Sequence, residues 1–253
     1  MVRVAQSVRA PGCGPGGRGF ESRLSPLEGE ASDRGYLRIA HRGYARGLGR
    51  ENSLEAFAHA IACGADAIEV DVRRRSDGVL VVHHDAANAP GAPTLDQVLA
   101  LAAAARVEVN LDMKVSGVED ALVDAVRTAR LLGHASATGG NWEMLAGIHR
   151  REPGIRAGIT VPRRLAPRGV RSVQRLWYAL RLPAFLRAHD AGLISANHRL
   201  LNRLIVHRVH AAGAEVWAWT VDDPHELRRL ARLGVDGIAS DDPVSHERTD
   251  AAI

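Results

Sequence analysis

From residue 37 onward, short apolar runs with strand character alternate with stretches of helical period, and that alternation limits the chain to few folds. The strand-like runs are 37–41, 66–72, 79–83, 107–112, 135–138, 155–160, 192–196, 215–221 and 237–240. Between them, 53–63 carries Leu54, Phe57, Ala58 and Ile61 on one helical face, with Asn52 as N-cap and Gly64 as stop. Thr94 caps a helix over 95–104, and Gly133 ends one over 118–132. Further helices are expected near 142–150, 171–182, 200–212 and 224–233. The run at 79–83 instead follows the turn signal Ser76-Asp77-Gly78. Strands joined through helices pair in parallel with right-handed crossovers. Eight such units fit one closed (β/α)8 barrel, a TIM barrel at the compact end of its size range, over residues 36–246, with 247–253 as a tail.

Period two within the strands says where the polar groups go. Ile68, Val70 and Val72 share one face of a strand whose other face holds Glu69 and Asp71. Val107, Val109, Leu111 and Met113 likewise alternate with Glu108, Asn110, Asp112 and Lys114. In a barrel the apolar face packs on helices and the charged face points into the lumen, where charge is tolerable only when paired or holding metal. Charge at the C-terminal ends of the strands lands where barrel enzymes place their chemistry.

Four polar motifs stand at such ends: His41-Arg42-Gly43, Glu69-Val70-Asp71, His84-Asp85 and Asp112-Met113-Lys114. Lys114 is the only lysine among the 33 Lys and Arg residues. Glu69, Asp71 and Asp112 against Arg42 and Lys114 leave one net negative charge, so the bare site repels a phosphodiester. One divalent cation reverses the sign, and each unit-charge contact at ~4 Å is worth about 4 kcal/mol at an effective dielectric near 20. All-oxygen ligands favour Mg²⁺, Ca²⁺ or Mn²⁺. An imidazole can both accept and donate a proton, so His41 and His84 suit proton transfer to a leaving alkoxide and from an attacking hydroxyl. Arg42 and Lys114 suit the nonbridging oxygens.

Composition excludes several other classes. The net charge of +4 and pI near 9.6 could suggest nucleic acid, but the arginines are spread along the chain and only Arg73-Arg74-Arg75 forms a run of three. No nucleic-acid motif is present. No apolar stretch approaches the ~20 residues of a membrane span, and no signal-peptide core opens the chain. Of Cys13 and Cys63, the first lies in a segment without hydrophobic period, so a lone thiol and a cytoplasmic location are expected. That segment, residues 1–35, is expected to be disordered. Back-translation of Gly19-Phe20-Glu21-Ser22 accommodates the T-arm of a transfer-RNA gene, so a misplaced gene start is expected, with the product beginning nearer residues 25–35.

As an ordered set, these residues resemble the glycerophosphodiester phosphodiesterase family. The resemblance runs through Ile39-Ala40-His41-Arg42-Gly43, Glu51-Asn52-Ser53-Leu54-Glu55-Ala56-Phe57, Gly64 to Asp71, and Asp77 to Asp85. It continues through Pro93-Thr94-Leu95, Asn110 to Lys114, Trp219-Thr220-Val221-Asp222 and Gly234 to Asp241. It implies a barrel that hydrolyses a small glycerophosphodiester to glycerol 3-phosphate and an alcohol. By position it makes His41 and His84 the acid/base pair, and Glu69, Asp71 and Asp112 the ligands of one divalent ion. Arg42 and Lys114 would bind phosphate. Three departures stand out: Asp112 where the family usually has Glu, Arg50 where it has Pro, and only residues 86–92 where it has a longer insertion walling the pocket. The first and third also suit a lysophospholipase D or sphingomyelinase D-like activity, and a silent barrel binding a phosphorylated ligand is a further alternative.

Other features have two readings. Trp219 is a pocket wall or core, and Glu51 supports the metal site or merely opens a helix. His83 is read as a packing or solvent residue, and His59, His207, His210 and His225 as surface. Residues 162–187, Arg-rich with Leu176, Trp177, Tyr178 and Leu180 interleaved, form a barrel helix with basic exposed residues or an interfacial element making weak contact with lipid headgroups.

Overall fold

The computed structural model describes residues 35–45, 50–85, 90–162 and 164–243. The expectations for residues 1–34, for most of 86–92 and for the tail lie outside the described residues. The strands are β1 (Leu37–His41), β2 (Ala67–Arg74), β3 (Leu80–Val82), β4 (Glu108–Met113), β5 (Ala135–Gly139), β6 (Ile155–Val161), β7 (Leu193–Asn197), β8 (Glu215–Trp219) and β9 (Gly237–Ser240). The helices are α1 (Leu54–Ala62), α2 (Leu95–Ala105), α3 (Glu119–Thr128), α4 (Trp142–Arg151), α5 (Arg171–His189), α6 (Arg203–His210) and α7 (Pro224–Leu233).

Eight of the strands pair in parallel in the order β1-β2-β4-β5-β6-β7-β8-β9, and β1 pairs with both β2 and β9 to close the ring. This is a single-domain (β/α)8 barrel. The run at 79–83 is not part of it: β3 pairs antiparallel with the end of β2, Val72 opposite Val82, and forms a flap outside the ring. Without a helix between them, two adjacent strands can only turn back on each other.

The period-two pattern resolves into two shells. Ile68, Val70 and Val72 of β2 and Val109, Leu111 and Met113 of β4 lie outside the ring, in one core with Phe57, Leu99, Leu122 and Leu145 of the helices. A matching core joins α5, α6 and α7 to β7, β8 and β9. Inside, Ile39, Ala67, Leu193, Trp217 and Ala239 form a small apolar plug. Two glycines make room for it. A Cβ on Gly158 would lie 2.7 Å from Leu193 Cγ, and one on Gly237 would lie 2.8 Å from Trp217 Cδ1.

Below the plug, at the N-terminal ends of the strands, the Arg156 guanidinium donates to Glu108 Oε2 and Glu215 Oε1, each at 2.6 Å. Trp217 Nε1 donates to Glu215 Oε2 at 2.9 Å. The inward charge at Glu108 is therefore paired, far along the strand from Asp112.

Several local expectations are corrected. Ser53, not Asn52, caps α1, its hydroxyl accepting the Ala56 N–H at 3.1 Å. α3 ends at Thr128, well before Gly133, because Arg130 turns into the left-handed region at φ 60°. No free cysteine is found among the described residues, so Cys63 is not the lone thiol expected and the compartment argument built on it falls.

Candidate active site

Parallel strands of similar length bring their C-terminal ends to one rim. His41 is the last residue of β1 and stands in register with Glu69; Asp71 stands in register with Asp112. Adjacent strands thus hold the three carboxylates at nearly one level. One oxygen from each of Glu69, Asp71 and Asp112 lies within 4.8 Å of the others.

The cations approach this cluster from two sides. Lys114, just past β4, places Nζ 2.9 Å from Asp71 Oδ1 and also binds Asp112 Oδ2. Arg42 turns the chain out of β1 at φ 56°, which aims its backbone N–H at Glu69 Oε2, 3.0 Å away. Its Nε lies 3.1 Å from Asp71 Oδ2, and its other guanidine arm donates to Glu51 Oε1 at 2.8 Å. Glu51 therefore reaches the site through Arg42.

Asn52, read from sequence as a cap, is instead buried against Asp71. Its amide donates to Oδ2 at 2.8 Å and its carbonyl oxygen accepts the Asp71 N–H at 3.3 Å. Sequence reasoning also missed the role of Asp241, whose Oδ1 lies 2.6 Å from His41 Nδ1. Asp222 fixes that turn by accepting the Asp241 N–H and the Ser240 hydroxyl, both at 2.8 Å. The signal for both lay in the motifs ending at Asp222 and Asp241, where an acid follows a strand end.

His84 is placed differently. The β3 flap joins the end of β2 through the His83 N–H, which donates to the Asp71 carbonyl at 3.0 Å, and Arg73 Nε holds the His84 carbonyl at 2.8 Å. Its ring Nδ1 lies 2.6 Å from Asp85 Oδ1, and no contact links it to the carboxylate cluster. His83 Nδ1 accepts the Asp85 N–H at 3.2 Å, a local packing contact. Trp219, the last residue of β8, packs on the lumen plug, stays partly exposed, and leaves a buried Nε1 without a hydrogen bond.

Burial and charge set the protonation of the cluster. Desolvation, with the Asp71 and Asp112 charges, pushes Glu69 up to about 7 against the opposing His41 charge. Desolvation likewise raises Asp112 despite Lys114. At Asp71 the burial penalty is outweighed by Lys114, Asn52 and Arg42 together, and the carboxyl is held below its usual range. Desolvation also acts to lower His41, but the Asp241 hydrogen bond and the Glu69 and Asp241 charges outweigh it and leave the imidazole raised.

Three converging carboxylates, one of them lifted towards neutrality by its own burial, are a donor set that a hard divalent cation fits. Such an ion would supply the charge that Lys114 and Arg42 only partly provide.

Comparison with known proteins places the chain among relatives of one family and fold. The model of the glycerophosphoryl diester phosphodiesterase family matches residues 41–130 and 91–245. A glycerophosphodiester phosphodiesterase of Caldanaerobacter subterraneus is 27% identical over 247 residues, covering 82% of this chain and 94% of the relative. A protein described as probable glycerophosphodiester phosphodiesterase 2 of Mycobacterium tuberculosis is 28% identical over 243 residues, covering 82% and 88%. Among solved structures, an Oleispira antarctica phosphodiesterase in complex with the product sn-glycerol 3-phosphate superposes with a TM-score of 0.68 at 21% identity, over 84% of this chain and 96% of that one.

Proposed function

Because this chain belongs to the glycerophosphoryl diester phosphodiesterase family, a family of phosphoric diester hydrolases, we propose that it cleaves glycerophosphodiesters to glycerol 3-phosphate and an alcohol, in a metal-dependent reaction at the rim around Glu69. The observation that carries the reading is the convergence of three carboxylates within 4.8 Å at the barrel mouth, beside two cations and an imidazole.

Glu69, Asp71 and Asp112 would hold one divalent ion, Mg²⁺, Ca²⁺ or Mn²⁺, which when bound supplies Lewis-acid neutralisation of phosphate oxygens. Lys114 and Arg42 orient the phosphate by charge-assisted hydrogen bonds to its nonbridging oxygens. Asn52 fixes the Asp71 carboxylate from behind, and Glu51 fixes the Arg42 guanidinium. His41 and His84 form the proton-transfer pair, one taking the proton of the attacking hydroxyl and the other protonating the departing alkoxide. Asp241 and Asp85 each hold the Nδ1 of one imidazole, which leaves Nε2 as the nitrogen that exchanges protons with substrate. Trp219 offers an apolar wall for the glycerol or alcohol carbons.

The test is hydrolysis of glycerophosphocholine and of lysophosphatidylcholine by purified protein with Mg²⁺, Ca²⁺ or Mn²⁺, the products read by phosphorus NMR. Glycerol 3-phosphate formed from the first, and lost on adding a chelator, is the expected result. Cleavage of lysophosphatidylcholine alone would move the reading to a lysophospholipase D, which Asp112 in place of Glu favours. No cleavage of either with any of the three ions would leave a silent ligand-binding barrel.

A further inference from the structure

Helix α5 is apolar on two opposite sides. Ala179, Leu182, Pro183 and Leu186 face the core. On the other side Val173, Leu176, Trp177 and Leu180, with Val170 just before the helix, are 69%, 52%, 52%, 57% and 52% exposed, five of the eight large hydrophobic residues exposed among the described residues. Their spacing puts them in one stripe about 15 Å long. A stripe of this kind costs free energy in water unless something covers it.

The charge around the stripe says what would cover it. Residues 161–189 contain the arginines 163, 164, 168, 171, 175, 181 and 187 and no aspartate or glutamate. Arg164, Arg168, Arg181 and Arg187 are exposed, and the Arg181 guanidinium lies 5.7 Å from the Trp177 ring centre, at the border of the stripe. The approach to the helix is strapped in place: Gln174 donates to the Arg164 carbonyl at 2.9 Å and accepts the Ala166 N–H at 2.8 Å. Arg175 is tied to the Arg199 and Leu200 carbonyls, so the helix is braced against the loop after β7. Because α5 follows β6 in a parallel ring, the stripe starts at the end of the barrel that carries the carboxylate cluster. A second copy of the chain would oppose the exposed Arg164, Arg168, Arg181 and Arg187 with the same four cations, which disfavours a dimer on this face. No described helix is long and apolar enough to cross a membrane.

We infer that the exposed face of α5, with the arginines around it, is a docking surface for an anionic lipid bilayer, on which the helix lies in the interfacial plane with its catalytic end near the headgroups.

Co-sedimentation with phosphatidylcholine vesicles, with and without roughly a third phosphatidylglycerol, tests this on the full chain. The protein is expected to pellet with the anionic vesicles, and less so as salt is raised. Trp177→Asp with Leu180→Asp is expected to lower the partition coefficient at least ~10-fold. These positions are exposed, so the melting temperature and the hydrolysis of water-soluble glycerophosphocholine should be unchanged. If that variant nonetheless fails to fold, Arg164→Glu with Arg168→Glu should show the same loss through charge. Absence of wild-type binding to anionic vesicles overturns the inference, as does equal binding by wild type and variants. A dimer detected by light scattering that the Asp variant dissociates, without vesicle binding, overturns it in favour of a second copy.

Discussion

Glu69 is the residue whose chemistry is most altered by the fold. Its carboxyl rises from 4.5 to about 7 because burial and two neighbouring carboxylates disfavour its charge. A carboxyl whose folded pKa exceeds its unfolded one keeps its proton longer in the folded state, so stability falls as pH rises through that window. Asp112 and His41, also raised, act in the same direction, whereas the lowered Asp71 acts only below the window. In chelator, the melting temperature should fall between about pH 5 and pH 7.5, with Glu69 contributing roughly 3 kcal/mol at most. Added Mg²⁺ or Mn²⁺ should restore it chiefly at the upper end, since binding must displace that proton. Glu69→Gln should flatten both responses, and a flat wild-type profile would contradict the assignment. His41→Ala and His84→Ala should each slow turnover at least ~100-fold while metal binding, followed by calorimetry, persists. Lys114→Arg should impair turnover although it keeps the charge, because a larger, planar guanidinium does not fit the place of an ammonium between Asp71 and Asp112; full activity would make the lone lysine incidental. The candidate residues themselves were legible because each stands at the end of an apolar run. Asn52 was not. An asparagine before a helix reads as a cap, and only a partner 19 residues away reveals its other use.

At the scale of elements, strand interiors were easy to read and their ends less so. β2 and β4 keep their alternation across the whole span, so their outer and inner faces follow from period two alone. The small residues of the other strands hide a second constraint. Gly237 has Trp217 Cδ1 and Ile39 Cδ1 where its Cβ would stand, at 2.8 and 2.9 Å. Gly237→Ala should therefore destabilise the barrel by about 1–3 kcal/mol through overpacking of the lumen. A thermal melt matching the wild type would show that the plug yields more easily than its contacts imply. Glycine on a strand usually reads as weakness, and the bulky neighbours that require it come from β1 and β8.

Across the whole molecule, the barrel separates two kinds of buried charge. The lower end carries Arg156 between Glu108 and Glu215, a paired group with no role at the opposite rim. Arg156→Met should leave two facing carboxylates and cost about 1–3 kcal/mol near neutral pH, with part of the loss recovered in acid. Turnover of folded enzyme at the far rim should stay near wild type, and a large drop in kcat would show that the two ends are coupled. What the sequence determined by itself was the set of faces: which residues point outward to helices, which inward, and which stand at strand ends. Those depend on local period, and local period is written in neighbouring residues. Tertiary structure alone decided which inward charges neutralise each other in pairs and which converge as a cluster of three carboxylates. It also decided that Asn52 comes against Asp71 and Asp241 against His41. Each of those outcomes depends on distances between residues far apart in the chain, and ring closure, not sequence order, sets such distances.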